Sequence, residues 1–192
     1  MYLRPVDTND VRTISQWLAE KENYQWLDFG SGKQILSPES IKIMIQRDIH
    51  VLRLVISGPE NIPVGLVALS NIDRNFGTAT LWAVLGDKRY SGHGYTTRAI
   101  SEMLTYGFDE LGLQSINAWS VESNTASIRL TEKNHFRVIG KQRRCHRIDG
   151  QMYDRLLFDI LASEHRGELR EQESPNVSLR ENQSSEFDAK EH

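Results

Sequence analysis

Two glycines lie two residues apart, between an apolar run and a helical pattern, and such a pair is a candidate binding site for phosphate groups. They are Gly92 and Gly94, within residues 89–97, Arg-Tyr-Ser-Gly-His-Gly-Tyr-Thr-Thr. Backbone N–H groups at the start of a helix form an anion site, and glycine lets a phosphate approach the main chain closely. A Gly-x-Gly pair also occurs in ordinary strand-to-helix turns, so the surrounding elements must decide between the two interpretations.

The flanking patterns place this turn between a strand and a helix. Residues 81–85, Leu-Trp-Ala-Val-Leu, form an apolar run of the length of a buried strand. After the turn, apolar residues recur at helical spacing up to Gly112, a typical helix end. These residues are Ala99, Ile100, Met103, Leu104, Phe108 and Leu111. The amides of the turn should therefore lie at the positive end of a helix.

The remaining patterns predict one α+β domain over residues 1–162. Strands are expected at 2–6, 51–57, 64–72, 115–121, 136–147 and 152–161, and the last two are joined by the turn dipeptide Asp149-Gly150. Further helices are expected after the capping residues at 8–10, after Ser37 and after Asn124. Residues 163–192 hold eight acidic and four basic residues and few apolar ones, which predicts a disordered acidic tail.

Composition excludes several classes of function. The formal net charge is −3, and the tail accounts for the acidic excess, so the nearly neutral body does not predict nucleic-acid binding. The only cysteine is Cys145, and the six histidines lack ligand spacing, so neither a disulfide nor a metal site is expected. The first residues lack the basic and apolar regions of a signal peptide, and no apolar run reaches membrane-spanning length, so neither a signal peptide nor a membrane span is expected. We expect a cytoplasmic protein, either a monomer or a homodimer, with no membrane partner.

Taken together, the motifs resemble the GCN5-related N-acetyltransferase (GNAT) superfamily, in a branch similar to the ribosomal-protein alanine N-acetyltransferases. Three motifs carry the likeness: Arg89-Tyr90-Ser91-Gly92-His93-Gly94; Asn124-x-x-Ser127 followed by Glu132-Lys133-Asn134-His135-Phe136; and Asp149-Gly150 before Tyr153-Asp154. The resemblance implies a central, mostly antiparallel sheet of six to seven strands with a splayed strand pair, flanked by about four helices.

The resemblance also implies that acetyl-CoA is the acetyl donor. Its pyrophosphate would bind the turn and the first residues of the helix: Arg89, Tyr90, Ser91, Gly92, His93, Gly94, Tyr95 and Thr96. His93 would contribute only its amide. The pantetheine arm would lie where strand 81–86 splays from strand 115–121, bonded to the backbone of Val84 and Leu85. Asn124 and Ser127 would reach the same arm.

Catalysis requires an amine to attack the thioester carbonyl and the thiolate to leave. Many family members carry a Glu at the position of Thr80 and a Tyr at that of Thr131, so both customary groups are absent. In the ribosomal-protein branch the acid is a serine that matches Ser127, and the base position falls on His146. The alternatives are a first-turn serine and a surface histidine in the basic run 141–147. Cys145 is next to His146 in the sequence, but acyl transfer through a cysteine is not this family's usual route.

The acceptor amine is the least determined part. Candidates for its pocket are Trp26, Phe29, Asp73, Trp82, Trp119 and Glu122. Three functions stay open: acetylation of a protein N-terminus or small amine, acetylation of a nucleotide-linked amino sugar or amino-antibiotic, and a CoA-binding sensor or scaffold without catalysis.

Overall fold

This computed structural model describes residues 1–30, 33–58 and 61–165, and seven strands of these residues form a single sheet. The strands are β1 (Tyr2–Pro5), β2 (Val51–Ser57), β3 (Ile62–Asp73), β4 (Thr78–Leu85), β5 (Ser115–Val121), β6 (Arg137–Ile148) and β7 (Gln151–Leu161). Their order in the sheet is β1-β2-β3-β4-β5-β7-β6. The α-helices are α1 (Val11–Ala19), α2 (Lys21–Tyr24), α3 (Pro38–Gln46), α4 (Tyr95–Thr105) and α5 (Thr125–Lys133).

The sheet opens in its middle, between β4 and β5. These two strands are parallel and pair only from Thr78–Thr80 with Ser115–Asn117. Beyond Thr80, β4 continues along β3 and β5 continues along β7, both in antiparallel pairing. The carboxyl-terminal halves of β4 and β5 therefore separate and leave a cleft. The predicted α+β class and splayed pair are confirmed, and the expected six to seven strands are seven in the described residues. The described residues form five α-helices, where about four were expected.

Two apolar clusters hold helices against the two faces of the sheet. In the first, α4 buries Ala99, Ile100, Met103 and Leu104. In the second, α1 buries Val11, Ile14 and Leu18, which pack with Ile41 of α3. Each fully buried leucine-sized side chain contributes about 1.5–3 kcal/mol, so both layers are fixed firmly around the cleft.

Several local predictions hold. Ser37 and Asn124 cap their helices through hydrogen bonds of 3.2 and 3.1 Å, and Asp149 and Gly150 both have positive φ, as their two-residue hairpin requires. Others differ. We expected a helix up to residue 111, but the α-helical part ends at Thr105, and a π-helical turn, Tyr106–Glu110, follows it directly. The short helix α2 was not predicted.

The predicted end of the domain at residue 162 stays a prediction. After β7, residues 162–165 form a helical turn, and residues 166–192 of the expected tail lie outside the described part of the chain. Within the described residues, no helix is both long enough and apolar enough to cross a membrane.

Candidate functional site

The glycine turn leads into α4 with an open surface. Gly92 and Gly94 have φ values of 79° and 76°, a region that L-residues rarely adopt. Gly94 is the N-cap of α4 and gives it no side-chain cap, so the first helical amides depend on another acceptor. A Cβ added at either glycine would meet no atom within 4 Å. The turn thus offers amide donors and free space, which fits a bound pyrophosphate.

Hydrogen bonds inside the turn narrow the set of available donors. The amides of Arg89 and Tyr90 donate to the carboxylate and carbonyl of Asp87, both at 3.1 Å. The Ser91 amide donates to the Lys88 carbonyl at 3.0 Å, and the His93 amide donates to the Tyr90 carbonyl at 3.4 Å. The prediction that these four amides bind phosphate does not fit the geometry, because each already has an acceptor.

Of the eight residues predicted to bind the pyrophosphate, the other four keep an available backbone amide. These amides have no acceptor in the described part of the chain: those of Gly92, Gly94, Tyr95 and Thr96.

The cleft between β4 and β5 begins next to this turn. Its volume is about 240 Å³, and residues of β4, β5, α2 and α5 line it. Among the lining residues are Trp26, Leu85, Lys88, Asn124, Ser127 and Thr131. Four of the residues predicted for the pantetheine arm therefore meet in one cavity: Val84, Leu85, Asn124 and Ser127.

Strand register decides which backbone groups of β4 face the cleft. The Gly86 amide donates to the carbonyl of Val64 on β3, and backbone groups alternate in direction along a strand. The backbone of Val84 consequently bonds β3, whereas Ala83 and Leu85 face the cleft. The prediction for Val84 is corrected by one residue to Ala83. The Leu85 carbonyl already accepts from Lys88 Nζ at 2.8 Å.

One hydroxyl in the cleft is uncommitted. Ser120 Oγ donates to the Val121 carbonyl at 3.4 Å, and Thr131 Oγ1 donates to the Ile128 carbonyl at 2.7 Å. The Ser127 hydroxyl has no partner among residues 1–30, 33–58 and 61–165, and its side chain is half-buried. Its amide, by contrast, donates to Asn124 Oδ1. Ser127 is thus held in place by its backbone while its hydroxyl stays available.

A second cavity joins the cleft on its other side. It has a volume of about 480 Å³ and shares Leu27, Trp82 and Trp119 with the cleft. Phe29 packs edge-on against Trp82 with ring centroids 5.3 Å apart, and Trp82 Nε1 donates to Ser70 Oγ at 2.9 Å. The aromatic residues predicted for the acceptor pocket therefore separate into Trp26 in the cleft, Phe29 in the second cavity, and Trp82 and Trp119 in both.

His146 lies beside this cavity in a closed hydrogen-bond network. It is 2% exposed, so it is not the surface residue of the alternative interpretation. Its Nε2 donates to the Gln25 carbonyl at 2.7 Å, and its Nδ1 accepts from Arg155 at 2.8 Å. Arg155 also pairs with Asp28 at 2.7 Å and lies over the Trp119 ring at 3.9 Å. Since both ring nitrogens are occupied, the geometry does not support the predicted proton-acceptor role of His146.

Two other predicted residues, Asp73 and Glu122, line neither the cleft nor the second cavity. Asp73 accepts the amides of Asn75 and Phe76 at 2.9 and 3.0 Å, so its carboxylate stabilises the β3–β4 turn. Glu122 pairs with Lys141 at 3.0 Å and accepts the Asp154 amide at 3.2 Å. Both carboxylates thus have structural partners away from the cavities.

Comparison with known proteins identifies the family. The model of the acetyltransferase (GNAT) domain matches residues 1–137. A probable N-acetyltransferase of Bacillus subtilis (strain 168), YjcK, is 32% identical over 174 residues, which are 84% of this chain and 93% of that protein. The chain belongs to the GNAT family and is an acetyl-CoA-dependent N-acetyltransferase.

Other relatives show how far the likeness extends. A putative ribosomal N-acetyltransferase of the same bacterium, YdaF, is 28% identical over 104 residues, covering 54% of this chain and 56% of that protein. The crystal structure of spermidine N-acetyltransferase from Vibrio cholerae, in complex with CoA and spermine, superposes with a TM-score of 0.76. At 20% identity, covering 86% of this chain and 97% of that chain, this likeness concerns the GNAT fold.

Some residues of this GNAT site carried no sequence signal. Asp28 and Arg155 are 127 residues apart in the sequence and meet only when the chain folds. His50, which lines the second cavity, precedes a strand and matches no motif. Trp26 and Phe29, two aromatic residues close together in the sequence, were the local signal that this part of the chain contributes to the pocket.

Proposed function

We propose that this acetyltransferase transfers acetyl from acetyl-CoA to a primary amine of a small monoamine or a peptide N-terminus, by direct attack in a ternary complex. The observation that carries the proposal is the pair of cavities that meet at Trp82 and Trp119. A donor in the cleft and an acceptor in the second cavity would place their reacting groups at this junction. Such positioning supplies a large part of the rate of a reaction between two bound molecules.

The donor side rests on backbone groups. The amides of Gly92, Gly94, Tyr95 and Thr96 would hold the pyrophosphate at the positive end of α4. The edge of β4 at Ala83 and Leu85 would pair with the pantetheine amides as a missing strand would. Acetyl-CoA supplies an activated thioester, whose carbonyl carbon is the point of attack.

Ser127 is the proposed acid. The lone pair of the amine forms the C–N bond to the carbonyl carbon, the C–S bond breaks, and the sulfur takes the bonding electrons. The Ser127 hydroxyl then donates its proton to the thiolate and is reprotonated by the proton released from the amine. Support comes from its position in the cleft and from the absence of any described partner for this hydroxyl.

Charge in the second cavity favours a monoamine over a polyamine. Among the described residues that line it, Asp28 is the only carboxylate, and it is already paired with Arg155. A second ammonium group, such as spermidine carries, would therefore find no free carboxylate among these residues. The apolar side chains Leu36 and Met44, together with the aromatic ones, suit an amine with an apolar substituent.

The test is release of CoA thiol from acetyl-CoA over a panel of amines. The panel contains 2-phenylethylamine, peptides with N-terminal alanine or serine, spermidine and a nucleotide-linked amino sugar. We expect the highest kcat/KM with the arylalkylamine or a peptide. Highest activity with spermidine or the amino sugar would contradict the acceptor class. Tight acetyl-CoA binding without turnover of any amine would contradict catalysis and favour a sensor.

A further inference from the structure

His50 lines the second cavity with an imidazole that makes no hydrogen bond to the described chain. Its Nδ1 is sealed from solvent and has no hydrogen-bond partner among residues 1–30, 33–58 and 61–165. The rest of the side chain is half-buried at the cavity wall. Because Nδ1 is sealed, a ligand in the cavity would meet the ring at Nε2.

The other titratable groups of this cavity are committed. Within the described part of the chain, three titratable side chains line it: Asp28, His50 and Arg155. Asp28 and Arg155 pair at 2.7 Å, and Arg155 further donates to His146. Of these three, His50 alone has a proton-binding nitrogen without a hydrogen-bond partner. Its situation is the reverse of that of His146, whose two nitrogens both have partners.

Strand register places His50 in a row with Thr80. Val51, the residue after His50, pairs with Leu69, and the Ile72 amide donates to the Ile49 carbonyl at 3.0 Å. His50 thus stands opposite Ser70, which in turn pairs with Thr80. Residues directly opposite each other in a sheet share a face, and these three all line the cavity.

We propose that His50 is the proton acceptor for the amine substrate of this enzyme, which rests on the function proposed above. An N–H bond of the bound ammonium breaks, and its proton passes to Nε2 of the neutral imidazole, directly or through one water. The freed lone pair forms the C–N bond to the thioester carbonyl carbon while the C–S bond breaks. Afterwards the imidazolium returns its proton to solvent. His50 would thus replace the glutamate that many family members carry at the position of Thr80. It reaches the same cavity from the start of β2, two strands away from Thr80 in the sheet.

The surroundings keep the ring ready to accept a proton. Burial, and after it the charge of Arg47, hold the pKa of His50 below its ordinary value. The charged groups that share its cavity, Asp28 and Arg155, offset each other. The neutral form is therefore the resting form at neutral pH.

The experiment compares wild type with His50→Gln, by kcat/KM against pH with the best amine of the panel and by calorimetric binding of acetyl-CoA. We expect kcat/KM to fall by about a hundred- to ten-thousand-fold while acetyl-CoA affinity stays unchanged. The acidic limb of the wild-type profile that reports the histidine should disappear. The exposed His135, which follows α5, provides the control as His135→Asn, and we expect it to behave as wild type.

His50→Ala gives a second, independent readout, since its rate should recover on addition of free imidazole. A His50→Gln enzyme with unchanged kcat/KM and an unchanged acidic limb would refute the proposal. So would failure of imidazole to restore a folded His50→Ala enzyme that still binds acetyl-CoA. A wild type that turns over no amine would instead refute the proposed function, so the two failures are distinguishable.

Discussion

Replacing Gly92 by valine should separate donor binding from folding. The backbone at Gly92 has a φ of 79°, and an L-residue in this region costs about 1–2 kcal/mol, with more for a β-branched one. No atom lies within 4 Å of the added Cβ, so the free protein suffers no clash. For a domain of this size each kcal/mol lowers Tm by about 2–4 °C, so the variant should fold with a modestly lower Tm.

The loss of acetyl-CoA binding should be much larger than the loss of stability. A valine side chain at this position would occupy the space in which the pyrophosphate meets the amides of Gly92 and Gly94. Hydrogen bonds to a charged group contribute about 1.5–3 kcal/mol each. Losing two of them corresponds to a rise in Kd of about two to four orders of magnitude.

Gly112→Val is the matched control. Gly112 also has a positive φ, 68°, and open space around its Cβ, but it lies between the π-helical turn and β5. Calorimetric titration with acetyl-CoA and thermal melts would be run on both variants. We expect similar Tm losses and loss of binding only for Gly92→Val. Equal acetyl-CoA affinity in the two variants would show that the pyrophosphate does not lie on this turn.

Three further predictions follow from the described contacts. Ser127→Ala should lower kcat by about a hundredfold or more with unchanged acetyl-CoA affinity, whereas Ser123→Ala, in the turn before α5, should leave thiol release unaffected. Burial, and less strongly the charge of Arg155, lower the pKa of His146 in the folded protein. The contribution of this histidine to the free energy of unfolding is therefore complete above pH about 6.5 and is lost as pH falls through the folded-state pKa. In thermal melts, Tm should fall between about pH 8 and pH 5 in the wild type, and it should fall less in His146→Gln. Equal losses of Tm in the two proteins would contradict the argument from burial. Lys21 pairs with Asp149 at 2.8 Å, but both side chains are exposed, so the ion pair should contribute little to stability. Thermal melts of Lys21→Ala should therefore give the Tm of the wild type.

Short-range patterns were sufficient for much of the fold and for the conformation of the glycine turn. The Gly92–Gly94 turn, the Asn124 cap and the Asp149-Gly150 hairpin each depend on a few consecutive residues. Their conformations follow from local rules on positive φ and capping, which act before any tertiary contact forms. The sequence order of these elements predicts the strand–helix–strand crossover from β4 to β5, and the splayed pair was implied by the resemblance to the GNAT superfamily.

Other parts depend on contacts that no local pattern encodes. Whether Val84 or Ala83 faces the cleft is set by the register of β4 on β3, and a shift of one residue reverses it. His146 lies in a basic run typical of a solvated face, yet it is buried because the chain at Gln25 folds over it. The Asp28–Arg155 pair decides the charge of the second cavity and joins segments from the two ends of the domain.

The same contrast explains why the donor is easier to infer than the acceptor. Acetyl-CoA would be held by main-chain groups of the turn, of α4 and of β4, so many side chains can change without altering the donor site. The acceptor would be held by side chains from several separate segments, among them Phe29, His50, Trp82 and Arg155. Substitutions at these positions can alter the accepted amine while the cleft keeps its shape. Relatives that share the glycine turn but differ at His50 and Arg155 should accordingly share the donor and differ in the acceptor and in its deprotonation.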